Sequence, residues 1–272
     1  MSSAFPYVPL DERGWRLAMG LRPLELANWL EFDDHYVQEI ALKNELLENS
    51  YAEVVAIDPL GALASAELLD EVRANMKEYH ADVPYSPAGN DDPIVMASRL
   101  VQEDLCVLVR EDAWRLRAAC VCFPSRWNLA SKLGATLDGI HDPVPGYQDH
   151  LSSPTNSFFD RLKPERSFWR LNWTLLDSPD LFQPASVRRA PSGDLDQWFF
   201  RVERQTLRRL PESGAVVFTI RTYVTSAEQL RDRDGMFTSS LIHALETAPS
   251  DVQAYKGWTG VALGLRKALG GN

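Results

Sequence analysis

The spacing of hydrophobic positions changes character along the chain. Over residues 13–47, Trp15, Leu17, Met19 and Leu21 lead to Pro23, and Leu26, Trp29, Leu30, Tyr36, Ile40 and Leu47 then recur at roughly helical spacing. Ser65 to His80 forms a second helical stretch. Tyr79 to Pro93 carries Pro84, Pro87, Gly89 and Asn90 and predicts a loop.

After that loop, strand character rises. Asp104–Arg110 (DLCVLVR) and Trp114–Phe123 (WRLRAACVCF) are separated by polar Glu111 and Asp112, which predicts a hairpin. In the second run Leu116, Ala118, Cys120 and Cys122 alternate against Arg115, Arg117 and Ala119. Ser167–Leu175, Gln197–Gln205 and Gly214–Val224 complete five predicted strands, with Pro211–Gly214 as a turn. Gly235–Ala248 predicts a C-terminal helix.

Residues 124–166 separate the second and third strands and carry helix and loop signals. Hairpin-like strands interrupted by helices predict an α+β antiparallel sheet rather than a parallel α/β fold. Two strands, a helical insertion and three more strands is the PAS arrangement, in which the insertion closes over one face of a five-stranded sheet. The expected organisation is a mostly helical extension over residues 1–100 and a PAS-like core with a C-terminal helix over 101–272.

The insertion opens with Phe123-Pro-Ser-Arg-Trp-Asn-Leu, where Ser125 is a candidate helix N-cap. Leu129, Leu133, Leu137 and Ile140 share one helical face, and His141 follows Leu137 by four. Pro143 and Pro145 turn the chain away before Tyr147. An imidazole at a helix end beside an apolar face suits a haem iron, but from spacing alone such a histidine is more often a helix cap or core residue. His150 is the rival ligand. No histidine pair has HxxxH spacing, and GxSxG, GxGxxG and Walker patterns are missing.

Composition narrows the function classes. Lys and Arg total 28 against 38 Asp and Glu, giving net charge −10. That sign disfavours nucleic acid and anionic membrane surfaces. Cys106, Cys120 and Cys122 form no CxxC pair, so reduced thiols are expected. The start lacks the basic and apolar run of a signal peptide, and no apolar stretch reaches membrane-spanning length; a cytoplasmic protein is expected.

Five blocks carry a resemblance: FPSRW from Phe123, KLG from Lys132, IHDPVPGY from Ile140, RLNW from Arg170 and ERQTLRRLP from Glu203. Together, over about Leu21 to Trp258, they resemble the haem-dependent oxidative N-demethylase family. The resemblance implies a haem-binding PAS fold used as a monooxygenase. A dimethylamine-like methylated amine would yield a primary amine and formaldehyde. The implied cofactor is haem b, with dioxygen as co-substrate and electrons from an external NAD(P)H, flavin or iron–sulfur reductase.

His141 is the expected iron ligand. Arg126, Trp127, Arg170, Arg204 and Arg208 are candidates for holding haem, since propionates need cationic partners; Arg221 belongs to the same basic group. Glu203, Asn172 and Tyr147 are catalytic candidates, by charge complementarity or proton transfer, hydrogen bonding, and aromatic contact with an alkylammonium ion. Trp169 and Trp173 offer similar faces or fill the core. A non-catalytic PAS-type sensor of a gas or small ligand remains the alternative, as does a member that binds another small molecule.

Overall fold

The computed structural model describes residues 6–85, 91–185, 197–233 and 236–268. Its centre is a seven-stranded sheet. In chain order the strands are β1 (Arg22–Leu24), β2 (Val55–Ile57), β3 (Asp104–Arg110), β4 (Trp114–Cys120), β5 (Ser167–Leu176), β6 (Phe199–Arg209) and β7 (Val216–Ser226). In space they run β1-β5-β6-β7-β3-β4-β2, each neighbouring pair antiparallel. The five strands expected from alternation form the contiguous middle of the sheet. Two three-residue strands extend its edges, so the expectation of five strands is corrected to seven.

Register assigns each side chain to a face, because successive residues of a strand point to opposite sides. Arg170 faces Gln205, Asn172 faces Glu203 and Thr174 faces Arg201. Gln205 and Glu203 in turn face Ile220 and Thr222. This side is called face A; Trp169, Leu171, Arg204 and Arg221 lie on the other, face B.

Residues before β3 cover face B through α1 (Tyr36–Asn49), α2 (Tyr51–Val54), α3 (Ala62–Tyr79) and α4 (Pro93–Ser98). Leu68, Val72, Met76, Ile94 and Val95 are buried there with Leu105, Val107 and Cys120. Each such side chain contributes on the order of 1.5–3 kcal/mol by leaving water. The turn before α3 is set by Asp58, which accepts a hydrogen bond from the Leu60 amide at 2.9 Å. A Cβ at Gly61 would meet the Arg117 carbonyl oxygen at 2.7 Å, so the turn and β4 pack at glycine distance.

The insertion covers face A with α5 (Leu137–His141), α6 (Tyr147–His150) and α7 (Ser152–Arg161). Leu129, Leu137, Phe159 and Leu162 are buried against Cys106, Leu116, Leu207 and Val216. After β7 come α8 (Ala227–Arg233), α9 (Phe237–Thr247), α10 (Ser250–Lys256) and α11 (Val261–Ala268). Leu241, Leu245, Trp258 and Leu265 enclose Leu175, Phe200 and Val202.

Helix does not span residues 13–47: β1 and a 3-10 turn at Leu26–Asn28 precede α1, which starts at Tyr36. The single amphipathic helix expected from Ser125 to His141 is also corrected. Arg126 has φ +61° and Gly134 φ +77°, left-handed backbone that a continuous helix does not admit. A 3-10 turn at Ala130–Lys132 and five-residue α5 replace it. Thr136, not Ser125, supplies the cap, accepting from the Gly139 amide at 3.1 Å. The 65–80 helix matches α3, and the C-terminal helix matches α9. Pro87, Gly89 and Asn90 of the expected loop, and Gly235 at the expected helix start, lie outside the described residues.

Candidate functional site

His141 closes α5. Its Nδ1 lies 2.8 Å from the Leu137 carbonyl oxygen one turn earlier. A carbonyl oxygen accepts, so Nδ1 carries the proton and Nε2 keeps its lone pair. The imidazole stacks on Tyr147, ring centroids 4.4 Å apart and planes 11° from parallel. Burial holds the His141 pKa below the ordinary value of 6.5; the nearby charges of Arg170 and Lys132 act the same way. The Leu137 carbonyl and Asp138 oppose them. The ring is therefore a neutral donor at pH 7.

The chain reaches Tyr147 by leaving α5 through Pro143 and Pro145 and turning at Gly146, φ +75°. A Cβ at Gly146 would also meet Leu17 Cδ2 at 3.2 Å. Tyr147 is buried, and burial raises its phenol pKa. His150, the rival ligand, ends α6 exposed.

Beneath the insertion, face A carries a polar patch. Glu203 Oε2 accepts from Asn172 Nδ2 at 3.1 Å and Gln205 Nε2 at 2.9 Å. Its Oε1 lies 3.8 Å from Arg201 Nε. Arg170 is on the same face and within electrostatic reach of both Glu203 and His141. Beside this patch, Trp127, Leu133, Ile140, Phe158, Phe168 and Phe218 stay only partly buried against the face A core. Phe158 meets Phe168 edge-on at 5.1 Å. Face A thus sets an apolar border, called the rim, beside a charged patch, called the floor.

Arg126 sits at the start of the insertion. Its Nε donates to Gln183 Oε1 at 3.1 Å and its guanidinium pairs with Asp177. Arg204 and Arg208 lie on face B, away from His141. Arg204 Nε is 3.0 Å from Glu31 Oε1, and its guanidinium reaches the carbonyls of Asn28 and Trp29. Arg208 pairs with Glu71 and sits 4.7 Å from the Trp29 ring. Arg221 bridges Asp33 at 2.7 Å and Glu39 at 2.8 Å. Trp169 lies under Arg204, and Trp173 stacks on Trp258 at 4.8 Å.

The structure thus brings His141, Tyr147, Trp127, Arg170, Asn172 and Glu203 to one side of the sheet and places Arg204 and Arg208 on the other. Sequence reasoning missed Lys132, Gln205 and Lys256. Gln205 was available, because it repeats the parity of Glu203 within one strand. Lys256 had no such signal: it arrives from α10, within electrostatic reach of Glu203 and Arg170.

The donor set fits a haem. One neutral imidazole offers a single free nitrogen, partly buried aromatic and aliphatic side chains lie on the same face of the sheet, and Arg170 keeps a buried Nε without a partner. Among the described residues no cluster of three or more His, Cys, Asp or Glu is placed to hold a bare metal ion. None of the described helices is long and apolar enough to cross a membrane. The family model for "haem-dependent oxidative N-demethylase, alpha subunit-like" matches residues 20–83 and 74–263, taking in the sheet, the insertion and most of the C-terminal helices. With His141, the apolar rim and the Arg170 floor all inside the matched region, the chain belongs to the haem-dependent oxidative N-demethylase alpha subunit-like family.

Proposed function

We propose that this protein is a haem-dependent monooxygenase that removes a methyl group from a small, dimethylamine-like amine as formaldehyde. The observation that carries the reading is the restraint of His141: Nδ1 tied to the Leu137 carbonyl and the ring held flat on Tyr147 leave Nε2 as the free donor. The strand order, with the insertion closed over one face, supports a PAS-like frame for the site.

In this reading His141 holds the iron of haem b, with the Leu137 carbonyl and Tyr147 fixing the tautomer and rotation of its ring. Arg170 and Arg126, at the start of the insertion, are the cations for propionates. Arg170 is the better placed, because Arg126 already has Asp177. Trp127, partly buried on face A, would help to line the haem site. Arg204 and Arg208, engaged with Glu31 and Glu71, serve the fold instead. Bound haem would supply the dioxygen chemistry that oxidises the N-methyl carbon, using two electrons and two protons from outside.

The remaining residues act on the amine. Glu203 is a carboxylate held by two amide donors, so its charge is fixed in place and complements an alkylammonium ion. The same carboxylate would take the ammonium proton, because oxidation next to nitrogen needs the free amine. Asn172 orients Glu203 and has its side-chain oxygen left for the substrate N–H. The aromatic rim excludes water.

A separate NAD(P)H, flavin or iron–sulfur reductase supplies electrons, consistent with an alpha-subunit family, and the buried free thiols suit a cytoplasmic location. The test is formaldehyde release from dimethylamine by haemin-loaded protein with a surrogate reductase. Turnover dependent on haem and on Glu203 is expected. Haem-loaded, reducible protein that releases no formaldehyde from any small methylated amine contradicts the proposal.

A further inference from the structure

Two cations come within electrostatic reach of Glu203 along β5 without an anion of their own. Arg170 makes one long hydrogen bond, from Nη2 to the Ala18 carbonyl at 3.3 Å, and its Nε is buried without a partner. Lys256 comes from the other end of the chain. From the end of α10 it lies along β5 where β1 no longer covers that strand, its Nζ donating to the Trp173 carbonyl at 3.0 Å. The ammonium also sits 5.0 Å from the centre of the Trp258 ring.

Among the described residues neither Arg170 nor Lys256 forms an ion pair. The carboxylate within their reach is Glu203, whose Oε2 is taken by Asn172 and Gln205 and whose Oε1 faces Arg201. Three cations therefore share one carboxylate. Burial pushes the Lys256 pKa down to about 8, with Arg170 acting in the same direction and Glu203 opposing. Holding two mutually repelling, half-buried cations near one another is costly unless an anion joins them. In a chain of net charge −10 carboxylates are plentiful, yet neither cation has one of its own here.

We infer that Arg170 and Lys256 form a carboxylate-binding pair at the open edge of β5, receiving a carboxylate group of the ligand bound on face A. The guanidinium offers a planar fork to two oxygens, and the ammonium adds a second charge at the strand edge. The inference rests on the reading of face A as the ligand side and gives that ligand an acidic group. A haem propionate and a free small carboxylate present the same chemistry.

The test titrates the purified full chain with haemin and with haemin dimethyl ester, which lacks the propionate charges. A second arm follows melting temperature with succinate in the absence of haemin. Wild type is expected to bind haemin about tenfold more tightly than the ester, the scale of a charge-assisted contact. Lys256→Met should lose most of that preference, and Lys256→Arg should keep it. Circular dichroism checks that each variant is folded, and the Arg variant retains a reading if the Met variant is not. If wild type takes no haemin but succinate raises its melting temperature in a Lys256-dependent way, the pair stands, its ligand is a free carboxylate and the haem reading falls. Equal affinity for haemin and ester without any succinate response overturns the inference. So does a folded Lys256→Met protein that keeps the wild-type preference, or a folded Lys256→Arg protein that loses it.

Discussion

The imidazole of His141 lies flat against the ring of Tyr147, centroids 4.4 Å apart and planes 11° from parallel. Because Nδ1 is also tied to the Leu137 carbonyl, the ring is restrained in its plane and across it. Aromatic stacking of this kind contributes about 0.5–1.5 kcal/mol beyond burial. Tyr147→Leu is therefore expected to weaken haemin binding about three- to tenfold. Tyr147→Phe, which keeps the ring, should stay within about twofold of wild type. A haemin titration followed by absorbance measures both, and equal losses in the two variants would mean that the hydroxyl, not the stack, matters.

Acid should release the ligand, and the sign follows from burial. The folded His141 pKa lies below 6.5, so between that lower value and 6.5 the unfolded chain binds more protons than the folded one. This group's contribution to stability is complete above 6.5 and is lost as pH falls through the folded value. The lone pair needed by iron is lost over the same range. Haemin affinity is expected to be level close to pH 7 and to fall on the acid side of 6.5. An affinity that rises on acidification would contradict a neutral His141 ligand.

Glu103 predicts the opposite slope. Its Oε1 accepts from the Glu31 amide at 2.8 Å, while Oε2 is buried without a partner. Burial raises its pKa from 4.5 to about 7, against the pull of Arg221, the backbone donors and Arg204. Between those values the folded state binds the extra proton, so this group's contribution falls as pH rises through the window. Glu103→Gln keeps the acceptor and removes the titration. Its melting temperature should gain on wild type steadily from pH 5 to 8. Asp104, also raised to about 6 by burial, is common to both proteins, so parallel curves would rule out Glu103 as the source.

Arg204 separates fold from function. It is buried on face B against Glu31, which also accepts from Tyr7 and Tyr223 at 2.5 Å each. Arg204→Met should cost about 3 kcal/mol in denaturant unfolding, because a partly buried carboxylate loses its cation. Haemin affinity of the folded fraction should be unchanged. Weakened haemin binding by folded protein would return Arg204 to the site.

The fold was legible where alternation ran long. β3 to β7 each carry seven or more residues of recurring pattern, whereas β1 and β2 carry three, too few for a period to register. The insertion misled for a definite reason. Leu129, Leu133 and Leu137 are four apart yet approach the same face A core from separate turns, so helical spacing arose from packing around the left-handed break at Gly134. The place of His141 at a helix end needed only that residue and the prolines after it, and could be read from them. The faces of the arginines could not, because Arg170 and Arg204 part company through the pairing of Arg170 with Gln205, a register invisible along either strand alone. Lys256 depends on a contact between distant parts of the chain, with no local pattern to announce it.

The claim on which the rest depends is that His141 is the iron ligand. The most direct measurement is the visible spectrum of purified wild type and His141→Ala, each titrated with haemin and checked for folding by circular dichroism. Wild type is predicted to give a strong, saturable Soret band, and His141→Ala to lose it or bind far more weakly with a shifted band. An unchanged Soret band in His141→Ala would remove His141 as the ligand, and a wild type that binds no haemin would remove the haem enzyme with it.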